Sequence, residues 1–297
     1  MAEATLAFSD IALSRRLECA EGRANADFVD ARARTCPERG AAWLDVGGAF
    51  VMFDGVDSPV TQTFGLGMNG GVTASDVARI EQFFTDRNAP VNHEVSPLAD
   101  GSVLTLLNAR DYQVIEFTTV MWQPLPIEAV SADSRRVAVR AVDGAEHALW
   151  AQVAAEGWSH LPELTTFLQE LARVNAARQN HLAFLAEIDG VAVAAGGLAM
   201  VDGVALLAGA STVPAARRQG AQRALLQARL QYAAAHGCDI AMMGASPGSD
   251  SQRNAERQGF RIAYTRVKWQ RVGIAEGAVK ADSSRPTATD EQTQGGK

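Results

Sequence analysis

The stretch HLAFLAEIDGVAVAAGGLAMVDGVALLAGAST, residues 181–212, constrains the fold of this chain more than any other. It is three apolar runs joined by two Asp-Gly pairs, Asp189-Gly190 and Asp202-Gly203. A two-residue hairpin turn needs positive φ at both positions, which aspartate and glycine tolerate. The stretch therefore predicts an antiparallel three-stranded meander. Behind it, AQRALLQARLQYAAAH reads as a long helix ending near His236, rich in good helix formers and in alanines that allow close packing on a sheet. CDIAMMGA (238–245) reads as a short buried strand, 248–258 as a polar segment with a short helix, and Phe260 to about Val272 as strand. Ahead of the meander, RVAVRAV (136–142) alternates like a strand. GAEHALWAQVAAEGW and PELTTFLQELARVNAA have helical apolar spacing, with Leu164, Phe167, Leu168 and Leu171 on one face and Pro162 in a first turn. The order is β-α-α-β-β-β-α-β-α-β.

The first half carries a paler version of this plan. After a helical region at about 4–35, AAWLDVGGAFVMFDG reads as a strand and VTQTFGLGM as the next. TASDVARIEQFFTDRNA then reads as a helix, PVNHEVSP as a strand, DGSVLTLLNARDY as a short helix and QVIEFTTVMW as a last strand. The halves close on parallel phrases, DYQVIEFTTVMW at Trp122 and GFRIAYTRVKW at Trp269. That correspondence implies an internal duplication of one α/β unit. The expected domains are 1–125 and 136–272, separated by a linker over 126–135 where the chain turns polar after Pro124 and Pro126. The last residues, 273–297, carry almost no large apolar side chain to offset ordering entropy, and a disordered tail is expected.

Composition narrows the class. A chain of 297 residues, 47% hydrophobic and 21% charged, has material for two full cores. Net charge is -7 with no basic block, which argues against a nucleic-acid partner. No apolar run approaches the ~18 residues of a membrane span. MAEATLAFSD lacks the positive flank and apolar core of a signal peptide. Cys19, Cys36 and Cys238 are odd in number and scattered, so a reducing cytoplasm is the expected location. The five histidines (His93, His147, His160, His181 and His236) lack ligand spacing, and no metal is expected.

Residues 214–222, PAARRQGAQ, place two arginines and a glycine before the long helix. A helix start offers unpaired N–H groups and the positive end of the dipole, which suit a phosphate. Gly220 lets the backbone approach closely, and Arg217 and Arg218 add charge-assisted donors. The alternative is a plain helix start with two solvated arginines.

TVPAARRQGAQRALL resembles motif A of the GCN5-related N-acetyltransferases (GNAT), an (Arg/Gln)-x-x-Gly-x-(Gly/Ala) loop between a strand and a helix, with Arg217 and Gly220 in place. Gln222 departs from the small residue usual at the end of that motif. SDSQRNAERQGFRIAYTR resembles motif B, with Asn254, Gly259 and Phe260. The likeness covers about 136–272, and the whole chain resembles tandem members of the family. It implies an α/β (α+β) fold of two GNAT-like domains, each a mixed, mostly antiparallel central sheet flanked by helices. It implies acetyl-CoA as acyl donor, in a V-shaped opening between two splayed strands. Thr212 and Val213 would meet the pantetheine arm. Arg217 and the amides of Arg218, Gln219, Gly220, Ala221, Gln222 and Arg223 would hold the pyrophosphate, and Asn254 would reach the arm from its short helix. The acetyl group would pass directly to an amine.

The tyrosine that many members use as the acid is replaced by Ala255. Tyr264 is the remaining candidate, and a packed tyrosine is the alternative. Glu187, His160 and Glu163 are candidate bases, each with a blander surface reading. In the first half, GMNGGVTASDVARIE lacks the arginines and puts Asp76 in a first helical turn, with Thr73 or Ser75 as N-cap. Asp111 stands where motif B has its glycine, so this half is not expected to bind CoA. This half would instead cover the acceptor side, with the stretch 55–71 as the first candidate; the alternative is that 55–71 is merely a strand and its turns. The function implied is acetylation of a small-molecule amine. A non-catalytic acyl-CoA-binding or sensing module, and acetylation of a protein N-terminus or lysine, stay open. No nucleic-acid or membrane partner is expected, and a homodimer is left open.

Overall fold

The computed structural model describes residues 9–127, 136–158, 170–171, 173–175 and 177–272. Helix α1 (Ile11–Thr35) starts at Asp10, whose carboxylate caps the Leu13 amide. Then come β1 (Ala42–Val46), β2 (Ala49–Phe53), β3 (Gln62–Phe64), α2 (Ala74–Thr85), β4 (Asn92–Val95), α3 (Gly101–Asn108) and β5 (Tyr112–Pro124). The second half holds β6 (Val137–Ala141), α4 (His147–Gly157), β7 (His181–Ile188), β8 (Val191–Val201) and β9 (Val204–Thr212). It ends with α5 (Ala221–Ala235), β10 (Ile240–Ala245), α6 (Asp250–Arg257) and β11 (Arg261–Arg271).

The meander is present as β7, β8 and β9. Its turns have φ of 49° and 80° at Asp189 and Gly190, and 47° and 79° at Asp202 and Gly203. One expectation needs correction. The stretch 41–55, read above as a single strand, is the hairpin β1–β2, because Gly47 and Gly48 take φ of 61° and 83° and reverse the chain. The helix expected over 162–177 falls largely outside the described residues, as do most of the linker and the tail.

The eleven strands of the described residues form one sheet, in the order β1-β2-β3-β4-β11-β5-β10-β9-β8-β7-β6. The pairs β3–β4 and β9–β10 are parallel and the others antiparallel. The last strands of the two halves are exchanged. β5 lies between β10 and β11, and β11 lies between β5 and β4. The two run antiparallel from Arg261 opposite Trp122 to Arg271 opposite Tyr112. Neither half's sheet is continuous without a strand from the other.

Residue alternation sorts the helices onto the two faces. On β9, Leu206 packs with Leu13, Leu17, Ala20 and Ala24 of α1, while Ala205 and Leu207 pack with Leu225, Leu230 and Ala233 of α5. On β7, Ala183 and Leu185 meet Trp150 and Val153 of α4, while Phe184 and Ala186 face the α5 cluster. So α1 and α4 cover one face and α5 the other. Leu225 is fully buried, which contributes about 1.5–3 kcal/mol. The α1 face also buries a polar knot. Arg266 of β11 pairs with Glu18 and Glu21 of α1 and with Glu94 of β4, and its guanidinium lies 4.8 Å from the Phe64 ring centre.

Candidate functional site

The strands β9 and β10 pair only at Val204–Leu206 with Ile240–Met242. Beyond that, β9 follows β8 to Thr212 and β10 follows β5 to Ala245. The two diverge into a fork whose β9 edge, from Leu207 onward, has no strand partner on the β10 side among the described residues. Within it lies a bulge: Gly197 faces Ala208 and Ala195 faces Ser211, so β9 has one residue more than β8. Gly209 has a φ of 62°, the left-handed conformation that a glycine bulge uses.

After the fork the chain makes one 3-10 turn at Pro214–Ala216 and enters α5 through Gly220, the N-cap, at φ 87°. Arg218 takes a φ of 64°, a conformation that costs a non-glycine residue about 1–3 kcal/mol. The Ala224 amide bonds the Gly220 carbonyl at 3.0 Å, so the helix ladder begins there. Among the described residues no acceptor meets the amides of Arg218 through Arg223, and no side chain caps the helix. Thr212, at the fork, is buried, and its Oγ1 has no protein partner among the described residues. These are donors waiting at the positive end of a helix dipole.

The matching helix of the first half is closed. Thr73 Oγ1 accepts from the Asp76 amide at 3.2 Å, and the Asp76 carboxylate accepts from the Thr73 amide at 2.9 Å. The Thr73 hydroxyl, which donates to the Asp76 carboxylate at 2.7 Å, and then the Thr73 amide hold that carboxyl below its ordinary range, so a negative charge occupies this helix start.

The other candidate residues fall in several places. Arg218, Gln219, Gly220 and Arg223 are exposed around the helix start, Gln222 is half-buried and Ala221 is buried beneath it. Val213 donates its amide to the Val193 carbonyl at 2.9 Å, which ends β9. Arg217 is exposed as well, and its guanidinium donates to the Gly157 carbonyl at 3.1 Å and the Thr212 carbonyl at 3.4 Å. It ties the loop to the end of α4. Asn254 is exposed on α6 and accepts from Arg257 at 3.2 Å. Tyr264 lies on the α1 face, opposite α5, and donates to Glu18 at 2.8 Å. Burial and the Glu18 charge push its phenol pKa up. Ala255 is buried in the α5-side core, as is Cys238. Glu187 accepts from Arg140 at 2.9 Å. His160 and Glu163 lie outside the described residues.

Sequence reasoning missed the residues that brace the fork. Ser211 Oγ donates to the Ala154 carbonyl at 3.1 Å, and a Cβ on Gly157 would come within 2.5 Å of that Oγ. Trp150 and Arg229 hold the β8 side. The Gly196-Gly197 pair in the middle of an apolar strand was the available signal, since such a pair marks a bulge or a close approach. Among the described residues there is no cluster of His, Cys, Asp and Glu that could hold a metal, and no helix long and apolar enough to cross a membrane.

A family model described as the acetyltransferase (GNAT) family matches residues 146–260. Among curated proteins none matches the sequence. Among solved structures, a GCN5-related N-acetyltransferase from Kribbella flavida is similar with a TM-score of 0.58 at 18% identity, over 85% of this chain and 95% of that one. A tandem GNAT protein from the clavulanic acid biosynthesis pathway is similar with a TM-score of 0.57 at 13% identity, over 89% of this chain and 96% of that one. At these identities the likeness concerns the fold, and it extends over both halves. The matched segment contains the meander, the fork and the uncapped start of α5, so residues 146–260 carry a domain of the acetyltransferase (GNAT) family.

Proposed function

We propose that this protein transfers an acetyl group from acetyl-CoA directly to the amine of a small molecule. The observation that carries the reading is the run of amides from Arg218 to Arg223, without protein acceptors, beside the fork where β9 leaves β10. Bound there, acetyl-CoA supplies a thioester carbonyl open to attack. The helix-start amides would hold its diphosphate, with Arg218 and Arg223 exposed beside them. The unpaired edge of β9 from Leu207 to Thr212 offers main-chain groups to the amide-bearing arm, and an N–H at the bulge would stabilise the oxyanion. An alkylammonium with a pKa of about 10.4 must lose its proton before it attacks. Ala255 cannot donate one to the leaving thiolate and Tyr264 is engaged with Glu18, so water would do so, at a thiol pKa of about 8.5.

The first half, in this reading, binds no CoA, because Thr73 and Asp76 fill its helix start. It supports the acceptor side instead. Arg178 pairs with Asp27 at 3.1 Å, and Arg32 bridges Asp54 at 2.9 Å and Glu170 at 3.1 Å. Phe28 and Ala31 pack on Val174. These contacts hold Glu170, Val174 and Arg178 against the first half. Residues 54–61 take part through Asp54 and Ser58, 2.7 Å apart. The three free cysteines suit a reducing compartment, and we place the protein in the cytoplasm.

A second reading, an acyl-CoA-binding module without turnover, is favoured by one observation: the usual acid position is the buried Ala255. Thiol release from acetyl-CoA across a panel of amines separates the two. Turnover that disappears in Gly220→Glu supports the enzyme; tight CoA binding without turnover on any amine supports the module. Activity that survives Gly220→Glu removes the site from this helix start.

A further inference from the structure

At the bulge of β9, the partner strand β8 presents Gly196 and Gly197, and their carbonyls are gripped from opposite faces of the sheet. Trp150 of α4 donates Nε1 to the Gly196 carbonyl at 3.3 Å. Arg229 of α5 donates Nη1 to the Gly197 carbonyl at 2.9 Å and Nε to the Leu225 carbonyl at 3.2 Å. Arg229 is 2% exposed, and among the described residues no carboxylate pairs with it. Desolvation pulls its pKa down to about 10. A guanidinium buried without a counter-ion is costly, and a methionine or leucine would fill much of the same space without that cost. Packing alone therefore does not account for it. The neighbouring glycine is matched to it: a Cβ on Gly196 would stand 3.0 Å from the guanidinium carbon.

We propose that Arg229 is a positioning residue of the acyl-CoA site: its bond to the Gly197 carbonyl, opposed by that of Trp150 to Gly196, holds the β9 bulge in the shape that turns β9 away from β10. The inference rests on reading the fork as that site. Arg229 touches no ligand and acts through Gly197 and β9. A bulge left unbraced can shift its register by one residue, which turns each following side chain to the other face. The unpaired edge at Gly209–Thr212 would then lose its fixed direction.

The test compares the full-length protein with Arg229→Met, Arg229→Lys and Trp150→Phe. CoA affinity is measured by calorimetry, main-chain hydrogen exchange at Gly209–Thr212 by mass spectrometry, and melting without ligand. Arg229→Met should bind CoA about ten-fold or more weakly, the scale of one lost charged hydrogen bond. Exchange at Gly209–Thr212 should quicken while α1 stays protected. Arg229→Lys should recover part of both, and Trp150→Phe should show a smaller change in the same direction. Variants that melt lower but keep wild-type CoA affinity and wild-type exchange at Gly209–Thr212 overturn the proposal. Should Arg229→Met fail to fold, the lysine and phenylalanine variants decide by the same two readouts. If the wild-type protein itself does not bind CoA, the acyl-CoA reading fails, and hydrogen exchange alone decides whether Arg229 holds the bulge.

Discussion

The phenol of Tyr264, on the exchanged strand β11, donates a 2.8 Å hydrogen bond to the carboxylate of Glu18 on α1. Both groups are buried, and burial pushes the pKa of each upward. The bond fastens β11 to α1, on the sheet face away from α5. Tyr264→Phe should therefore leave acetyl transfer within about three-fold of wild type while lowering stability by about 1–3 kcal/mol, since a buried carboxylate loses a donor. Urea unfolding beside a thiol-release assay checks this. A hundred-fold loss of turnover at unchanged stability would return Tyr264 to the chemistry.

Arg266 should matter far more to stability than any surface pair. Its side chain is 2% exposed and faces the three carboxylates of Glu18, Glu21 and Glu94. Arg266→Met strands those charges beside an apolar group and should cost about 3–5 kcal/mol. Arg253→Met, which breaks an exposed pair with Asp250, should cost less than about 1 kcal/mol. Denaturant midpoints of equal size for the two variants would contradict the role assigned to the knot.

His93 sets a pH dependence. It is fully buried, its Nε2 lies 3.1 Å from the Tyr112 hydroxyl, and desolvation lowers its pKa from 6.5 to about 3. A folded pKa below the unfolded one means the contribution is complete above pH 6.5 and is lost as pH falls towards 3. The slope approaches about 1.4 kcal/mol per pH unit within that window. In His93→Gln the unfolding free energy should change less between pH 6.5 and 4 than in wild type. Parallel profiles for the two proteins would show that His93 does not titrate as its burial demands.

Strand exchange makes the halves interdependent. Residues 136–272 expressed alone lack β5, the strand that joins β10 to β11. They should show no cooperative unfolding transition until mixed or co-expressed with residues 1–127. A stable, CoA-binding monomer of 136–272 would mean that β11 can take the place of β5 beside β10.

The chain's local elements were legible because local physics specifies them. Asp189-Gly190 and Asp202-Gly203 accept the positive φ that a tight hairpin needs, so the meander followed from four residues. Thr73 with Asp76 three residues on makes a capping box, so the closed start of α2 was legible too. The hairpin at Gly47-Gly48 was missed because a glycine pair inside an apolar run also suits a bulged single strand. Of the candidate site, Gly220 and the two arginines pointed to the start of α5, while the structure showed that no side chain caps it among the described residues.

Local patterns placed most of the described strands and helices, the β1–β2 hairpin excepted, because periodicity, turn residues and caps act over a few neighbours. Tertiary structure alone decided that β5 and β11 change places, that Arg217 bonds the Gly157 and Thr212 carbonyls, and that Arg229 reaches Gly197. The physical reason is that strand partners and buried donors are chosen by whichever carbonyls and apolar faces distant segments leave unpaired. That choice depends on the whole sheet rather than on any stretch of it.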